Sequence, residues 1–380
     1  MMSLVSAMIA CQCVIQYDKI ADDIYQLSVR SHATLSTSNT TASTSPLSVY
    51  YAICMIDRDD DHGTGDAAMQ CADDELLKTY LQKINAIAHN EHEPSDSDDP
   101  QLAERRYLRS NLWINSDVVK FSSHYEQMLK TTYGTTLNNL SFEPRLDHRY
   151  FSLVEESKED YKPLLEFGRE VDHLLRNTYF FNQQIATYLL LSSSFKFTAK
   201  IKCAPTHLAT ATGSLSSSEK GSKPSQYLVN GYSKHSEDQG QFIRIDLLES
   251  PFTLVIKHGP FALTHPSRST LTRIMAGDPS THTHTYIRLP HIHTYTHSDM
   301  PDTLASKDMT HVRRYFATND FDGRLDIVAA GQYAQFVTVC DDGADVKGED
   351  SESLGGEFSY YVVDRDTGFI LLSGVYIEVK

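Results

Sequence analysis

Five histidines, His282, His284, His291, His293 and His297, fall within sixteen residues, and the H-x-H spacing places each pair on one face of a strand. Two such pairs on adjacent strands would offer zinc the three or four nitrogen ligands of its tetrahedron, with Asp299 the nearest carboxylate to orient the rings. A Thr/His-rich strand surface that gains charge at mildly acidic pH accounts for the same residues. No metal is therefore expected, and His282, His284, His291 and His293 stand as weak candidates. Gly63, Gly65 and Ala68 satisfy the dinucleotide pattern GxGxxA, but Asp57, Arg58, Asp59, Asp60 and Asp61 precede them and would repel a pyrophosphate. The run HNEHE at 89–93 is not a metalloprotease HExxH, because Pro94 ends any helix there. No GxSxG elbow, P-loop or recognisable Cys/His pairing is present. The expectation is a protein that is not an enzyme and needs no cofactor.

The elements that would carry these residues follow from periodicity. Asp18 is placed to cap a helix whose Ile20, Ile24, Leu27 and Val29 recur at roughly helical spacing. Leu47 to Ile56 is apolar all round, which predicts a helix inside the core. Asp66 to Ala88 is compatible with a helix, and His89 to Pro100 reads as an acidic linker. Tyr125, Met128, Leu129 and Tyr133 predict another helix stopped by Gly134, and Leu164, Leu165, Phe167, Val171, Leu174 and Leu175 a further one. At Ile185 to Ile201 the period changes to two: Phe195, Phe197, Ala199 and Ile201 alternate with polar residues, as in a long strand. Ala204 to Gln241 reads as loops and short edge strands, and Phe252 to Lys257 as a short buried strand. Near the end comes a strand at Phe336 to Val339. After a polar stretch, expected as an exposed loop, Phe358 to Val363 and Phe369 to Val379 form a hairpin through Asp364, Arg365, Asp366, Thr367 and Gly368.

The 380 residues are 40% hydrophobic, enough to bury one large core, and carry a net charge of −16. That charge argues against nucleic-acid or anionic-membrane partners, which need a basic face, and points to a protein partner. No apolar run reaches the eighteen or so residues of a membrane helix, so no membrane insertion is expected. Cys11, Cys13, Cys54, Cys71, Cys203 and Cys340 are too few and scattered for a disulfide scaffold, leaving room for one or two bridges. Residues 1–14 hold a short apolar run, Leu4 to Ala10, and are a candidate signal segment without a basic flank. Asn39 and Asn139 head glycosylation sequons, so secretion is the expected localisation and the cytoplasm of a host cell the alternative.

Several stretches resemble the serpins, in family order. FVTVCDDGADV at 336–346 followed by FSYYVVDRDTGFILLSGVY at 358–376 is similar to the serpin C-terminal end: strand, acidic-Gly hinge, reactive loop, closing hairpin. SPLSVYYAICM at 45–55 resembles the opening motif and YIRLPHIH at 286–293 the LP strand. RSNLWIN at 109–115, TYGTTLNNLSF at 132–142 and YLLLSSSFKFTAKI at 188–201 match between them. The resemblance implies an α+β chain in one domain, residues 15–380, with three β-sheets, eight or nine surrounding helices and a shortened reactive-loop equivalent at 343–357. It implies hinge and loop positions at Asp341, Asp342, Gly343, Ala344, Val346, Lys347 and Leu354. It also implies a buried cluster under the main sheet at Ser45 and Ser48, with Ser193 where the family has Asn and Tyr333 where it has His.

Inhibitory serpins insert the cleaved loop into the main sheet as an added strand. Here only fourteen residues separate Gly343 from Phe358. Counting forward from the hinge puts the scissile residue near Glu357 and counting back from the hairpin puts it near Val346, so no single bait position emerges. Insertion would also bury Asp350 and Glu352 without evident partners. The reading is a non-inhibitory serpin-like protein that acts by binding another protein. It resembles the serpin-like proteins of large DNA viruses, which implies a secreted viral immune modulator whose partner is a host immune protein or receptor. The alternative is an inhibitor of a serine or cysteine protease with Lys347 or Leu354 as bait, and only then is a protease the partner.

Overall fold

The computed structural model describes residues 2–56, 71, 74–89, 107–115, 123–133, 137–140, 188–205, 226–229, 232–237, 240–277, 286–299, 326–342, 351–354 and 356–378. The expected helix around Leu164 to Leu175, the linker from 90 to 100 and the GxGxxA stretch at 63–68 lie outside them. The first helix, α1 (Met2–Thr37), runs through the candidate signal segment without a break. Asp18 is therefore interior to the helix, not its cap, and its carboxylate pairs with Arg268 at 3.3 Å. The buried stripe of α1 is Ile20, Ala21, Ile24, Leu27, Ser28, Ser31, His32 and Leu35. Val29 is only half-buried.

After β1 (Ala42–Thr44), helix α2 (Pro46–Ile56) starts where local chemistry sets it. Ser45 accepts the Ser48 amide at 3.2 Å through its hydroxyl, and Pro46 fills the first helical position, where no amide is needed. Residues 47–55 of α2 are all buried, as its unbroken apolarity predicts. Helix α3 (Asp74–His89) buries Leu77, Tyr80, Leu81 and Ile84, one stripe at helical spacing. Helix α4 (Ser123–Thr132) buries Met128 and Leu129, and α5 (Arg268–Ala276) is capped by Ser267.

Thirteen strands follow β1 in chain order among the described residues: β2 (Tyr107–Asn115), β3 (Leu137–Leu140), β4 (Tyr188–Pro205), β5 (Gln226–Val229), β6 (Tyr232–Glu237), β7 (Gly240–Asp246), β8 (Phe252–His258), β9 (Tyr286–Pro290), β10 (His293–Asp299), β11 (Asp326–Asp342), β12 (Ser351–Ser353), β13 (Phe358–Asp364) and β14 (Ile370–Tyr376). A six-stranded antiparallel sheet runs β1-β14-β13-β8-β7-β6. An eight-stranded sheet runs β10-β11-β4-β5-β9-β12, with β2 paired to β4 and β3 to β2. Among the described residues there are thus two sheets and five helices, against the expected three and eight or nine. β4 is eighteen residues long, pairs with β11 from Tyr188 to Cys203, with β2 from Leu189 to Lys196 and with β5 at Cys203 to Pro205, and so joins these strand groups into one path.

The expected terminal hairpin is present as β13 and β14. Its turn is closed by Gly368 donating to the Asp364 carbonyl at 2.8 Å, and the buried Asp364 carboxylate receives Tyr80 Oη at 2.8 Å and Lys83 Nζ at 3.3 Å. One contact fixes a residue type: a Cβ on Gly374 would lie 2.2 Å from Cζ of Tyr360, directly opposite on β13.

Candidate functional site

β4 and β11 lie side by side in parallel, from Asp326 opposite Tyr188 to Asp342 opposite Cys203. Alternation sends Phe195, Phe197, Ala199, Ile201 and Cys203 of β4 to the buried face, with Ala334, Phe336 and Thr338 of β11. Phe197 and Phe336 stack with centroids 6.1 Å apart.

Polar residues fasten this seam from beneath. Gln332 of β11, 2% exposed, donates to the Ser45 carbonyl at 2.7 Å and the Ser48 hydroxyl at 2.8 Å, and its amide oxygen accepts Thr44 Oγ1 at 2.6 Å. Ser193 of β4 donates to the Ser48 carbonyl at 3.1 Å and meets Ser110 of β2 at 3.1 Å. Ser45 in turn donates to Leu371 of β14 at 2.6 Å. The first turn of α2 therefore ties both strands of the seam to the other sheet. Ser45, Ser48 and Ser193 come together in this network. The fourth bonded member is Gln332, one position before Tyr333, whose side chain lies outside the described residues. Gln332 was legible only as a polar residue in phase with Ala334, Phe336 and Thr338.

At the far end a disulfide joins Cys203 to Cys340, Cα–Cα 5.4 Å, across 137 positions of sequence. A second joins Cys54 of α2 to Cys71. Two bridges agree with the room left for them by the cysteine count, though spacing alone did not pair them.

Beyond Asp342 the stretch expected as an exposed loop is partly docked. Ser351 to Ser353 form β12, parallel to Tyr286 to Arg288 of β9. The Leu354 amide donates to the Arg288 carbonyl at 3.1 Å, and Leu354 is 4% exposed within the core. The apolar side chain of Leu354 fills the core beside β9, and burial outweighs exposure for such a residue. Glu352 sits in the edge strand β12. Between β11, ending at Asp342, and β12, beginning at Ser351, eight residues remain, 343–350. Asp341 and Asp342 close β11 opposite Lys202 and Cys203. Gly343, Ala344, Val346 and Lys347 lie outside the described residues, and Glu357 is exposed beside β13.

Among the described residues the histidines assemble no centre. His291 and the exposed His293 flank buried Ile292, with ring centroids 6.4 Å apart. His282 and His284 lie outside the described residues, and among the described residues no group of three or more His, Cys, Asp or Glu is placed to hold a metal. Asn39 is exposed just past α1 with φ of 52°, a left-handed conformation that Asn tolerates at a helix end. Asn139 lies in β3 opposite Ile114.

A second buried polar group, unmarked by any sequence motif, sits where α1 meets the six-stranded sheet. His32 meets Ser373 at 3.2 Å and Ser359 at 3.0 Å, and His265 meets Ser28 at 2.8 Å. Burial pushes the His32 imidazole down to about 4, and the positive charge of nearby Lys257 adds to this. Burial, then the neighbouring His32, lowers His265 to about 3. Burial brings Lys257 down to about 8, its Nζ donating to the Thr264 carbonyl at 2.8 Å.

No protein-family model matches the chain, and no curated protein matches it by sequence. Solved structures do. A native protease nexin-1 crystallised with heparin superposes with a TM-score of 0.62 at 11% identity, covering 96% of this chain and all of the other. Uncleaved ovalbumin gives 0.61 at 14%, covering 95% and 99%. Serpin48, a highly specific serpin of the insect Tenebrio molitor, gives 0.59 at 12%, covering 96% and 98%. The chain has a divergent serpin fold.

Proposed function

We propose that this chain is a non-inhibitory serpin-like protein that works by binding another protein, and that it is not an enzyme. The observation that carries the reading is the docking of Ser351 to Leu354 against β9, which leaves eight residues between β11 and β12. Fully extended, eight residues span about 26 Å, whereas the seventeen residues of β11 run to about 56 Å. A segment that short cannot add a strand along the seam. The carboxylates Asp350 and Glu352 oppose burial of any longer piece.

Two disulfides and the exposed Asn39 sequon support secretion, because such bridges persist in oxidising surroundings. A serpin fold retained with its loop shortened fits a viral modulator, and we assign the partner to host immune proteins or receptors on that basis. No described helix is long and apolar enough to cross a membrane. Release into the medium, with a mass shift on deglycosylation that Asn39→Gln and Asn139→Gln remove, tests the secreted glycoprotein.

The functional test is incubation with trypsin-, elastase- and caspase-like proteases. The expected result is no SDS-resistant complex, and a melting temperature unchanged after cleavage within 343–350. A covalent complex with any of these enzymes, or marked heat stabilisation on cleavage, overturns the proposal in favour of an inhibitor.

A further inference from the structure

The strands beside β11 change along its length. From Gly331 to Val337 it lies between β4 and β10, and Thr338 still exchanges bonds with Ile292, its amide donating to the Ile292 carbonyl at 2.9 Å and its hydroxyl accepting the Ile292 amide at 3.0 Å. From Val339 to Asp342 the strand pairs with β4 on one side, and among the described residues β10 no longer flanks it. Parallel pairing is the weaker kind per residue, and a strand end with one neighbour opens locally at low cost. The Cys203–Cys340 bridge sits at this point, joining the two strands where, among the described residues, β10 no longer flanks β11.

The bridge is also asymmetric in exposure. Cys203 is 2% exposed on the core face, whereas Cys340 is half-buried near the end of the strand. Of the two residues Cys340 is the more exposed, and the exchange proposed for the bridge begins from its side.

We propose that Cys203–Cys340 is a redox-sensitive latch on the β4–β11 seam, which a dithiol reductant opens by exchange. The reductant thiolate bonds to Cys340 Sγ, the sulfur–sulfur bond breaks, and its electron pair leaves on Cys203 Sγ, which takes up a proton. The second thiol of the reductant then displaces Cys340 as a thiol, and the reductant departs as its own disulfide. With the bridge gone, Val339 to Asp342 peels from Lys200 to Cys203. Opening stops at Thr338, where Ile292 holds β11 from the other side, and the fastening at Gln332 lies deeper still. The latch is independent of whether the protein traps a protease.

Native-state hydrogen exchange on the full chain, read by mass spectrometry of peptides, tests this. The samples are the oxidised protein, the protein reduced with dithiothreitol, and the Cys203→Ser/Cys340→Ser variant. Cys54→Ser/Cys71→Ser serves as the control for loss of the other bridge. Reduction and the Cys203/Cys340 variant are each expected to accelerate exchange at 339–342 and 200–203 by at least tenfold. Peptides of β8, β13 and β14 should stay within twofold, and the Cys54/Cys71 variant should leave the seam end protected. Unchanged protection at 339–342 after reduction overturns the proposal. Acceleration spread over both sheets also overturns it, since the bridge would then support the whole fold. Should the serine variant fail to fold, the reduced natural chain gives the same readout.

Discussion

Along β13 all seven residues are buried, and along β8 the first six are, so the middle of the six-stranded sheet is covered on both faces, mostly by apolar side chains, with Lys257, Ser359 and Asp364 as polar exceptions. The β4–β11 seam is built otherwise. Its buried face carries Ser193, Gln332 and Thr338 among the aromatics and ends in a disulfide. Packing is non-directional and spreads its contribution over many atoms, whereas buried polar bonds concentrate it in a few partners, each costly to orphan. The first sheet should therefore be sensitive to volume and the second to the loss of single polar groups.

Volume should produce the largest effect. Gly374→Val puts a branched side chain where even a Cβ would meet the Tyr360 ring at 2.2 Å, and Tyr360 is fully buried between β1 and β10 groups, with Ala42 and Thr294 near its hydroxyl. The expected loss is about 3 kcal/mol or more, measured by urea unfolding, with partial recovery when Tyr360→Leu is added. A loss below about 1 kcal/mol would mean the ring swings aside and the sheet is looser than its burial implies.

The matching test of the seam is Gln332→Ala. It leaves Thr44 Oγ1, the Ser45 carbonyl and the Ser48 hydroxyl short of a partner in a site closed to water, for an expected loss of about 2 kcal/mol. Gln332→Glu keeps the shape but replaces two donated bonds with a charge, and should cost at least as much. Near-neutral behaviour of both in the same urea assay would place the fastening of the seam in its aromatics and not in its amide.

Acid divides the two regions further. His32 contacts Ser359, Ser373 and Tyr361 of the six-stranded sheet, with Lys257, His265 and Tyr25 the other titratable groups of its cluster. Its folded value near 4 lies below the unfolded 6.5, so the unfolded chain binds the proton more readily. The stability of the neutral form is complete above about pH 6.5 and is lost as pH falls toward 4, amounting to about 2 kcal/mol at pH 5 from His32. His265, lowered further, extends the loss toward pH 3. Unfolding midpoints from pH 7.5 to 4.5 should show this slope, and His32→Gln/His265→Gln should flatten it. The groups that fasten the seam, Gln332, Ser45, Ser48, Thr44 and Ser193, do not titrate in this window, so Gln332→Ala should shift the curve without changing its slope.

The elements legible in the sequence were those whose signal is local. The hairpin 358–376 has two apolar runs around an Asp/Gly turn, α2 is apolar on every side behind Ser45 and Pro46, and β4 alternates visibly from Phe195 to Ile201. What was missed depends on distant pairing. Asp18 looked like a cap because its side chain suits one, yet α1 continues back to Met2. Leu354 and β12 looked like exposed loop because three residues are too few to show a period, and their partner β9 lies more than sixty positions earlier. Gln332, which the resemblance did not name, is bonded to the same serines, and its polar side chain gave no sign of that before β11 was laid over α2. Cys203 and Cys340 likewise become partners only once β4 and β11 are laid side by side.

The smallest effect belongs to neither sheet's interior. Arg268 of α5 pairs with Asp18 and Asp22 of α1; both carboxylates are largely open to water and Arg268 is partly so. Solvent screening leaves such pairs little net energy, so Arg268→Ala should cost about 0.5 kcal/mol and the difference should vanish in high salt. Arg268 Nη2 also donates to the Asp18 carbonyl at 3.2 Å, a bond that salt does not screen in the same way. A cost above about 1 kcal/mol that persists in salt would therefore assign the docking of α1 on α5 to that backbone bond. It would also extend to the helical layer the pattern proposed for the seam, in which single polar groups and not broad apolar contact decide whether two elements stay together.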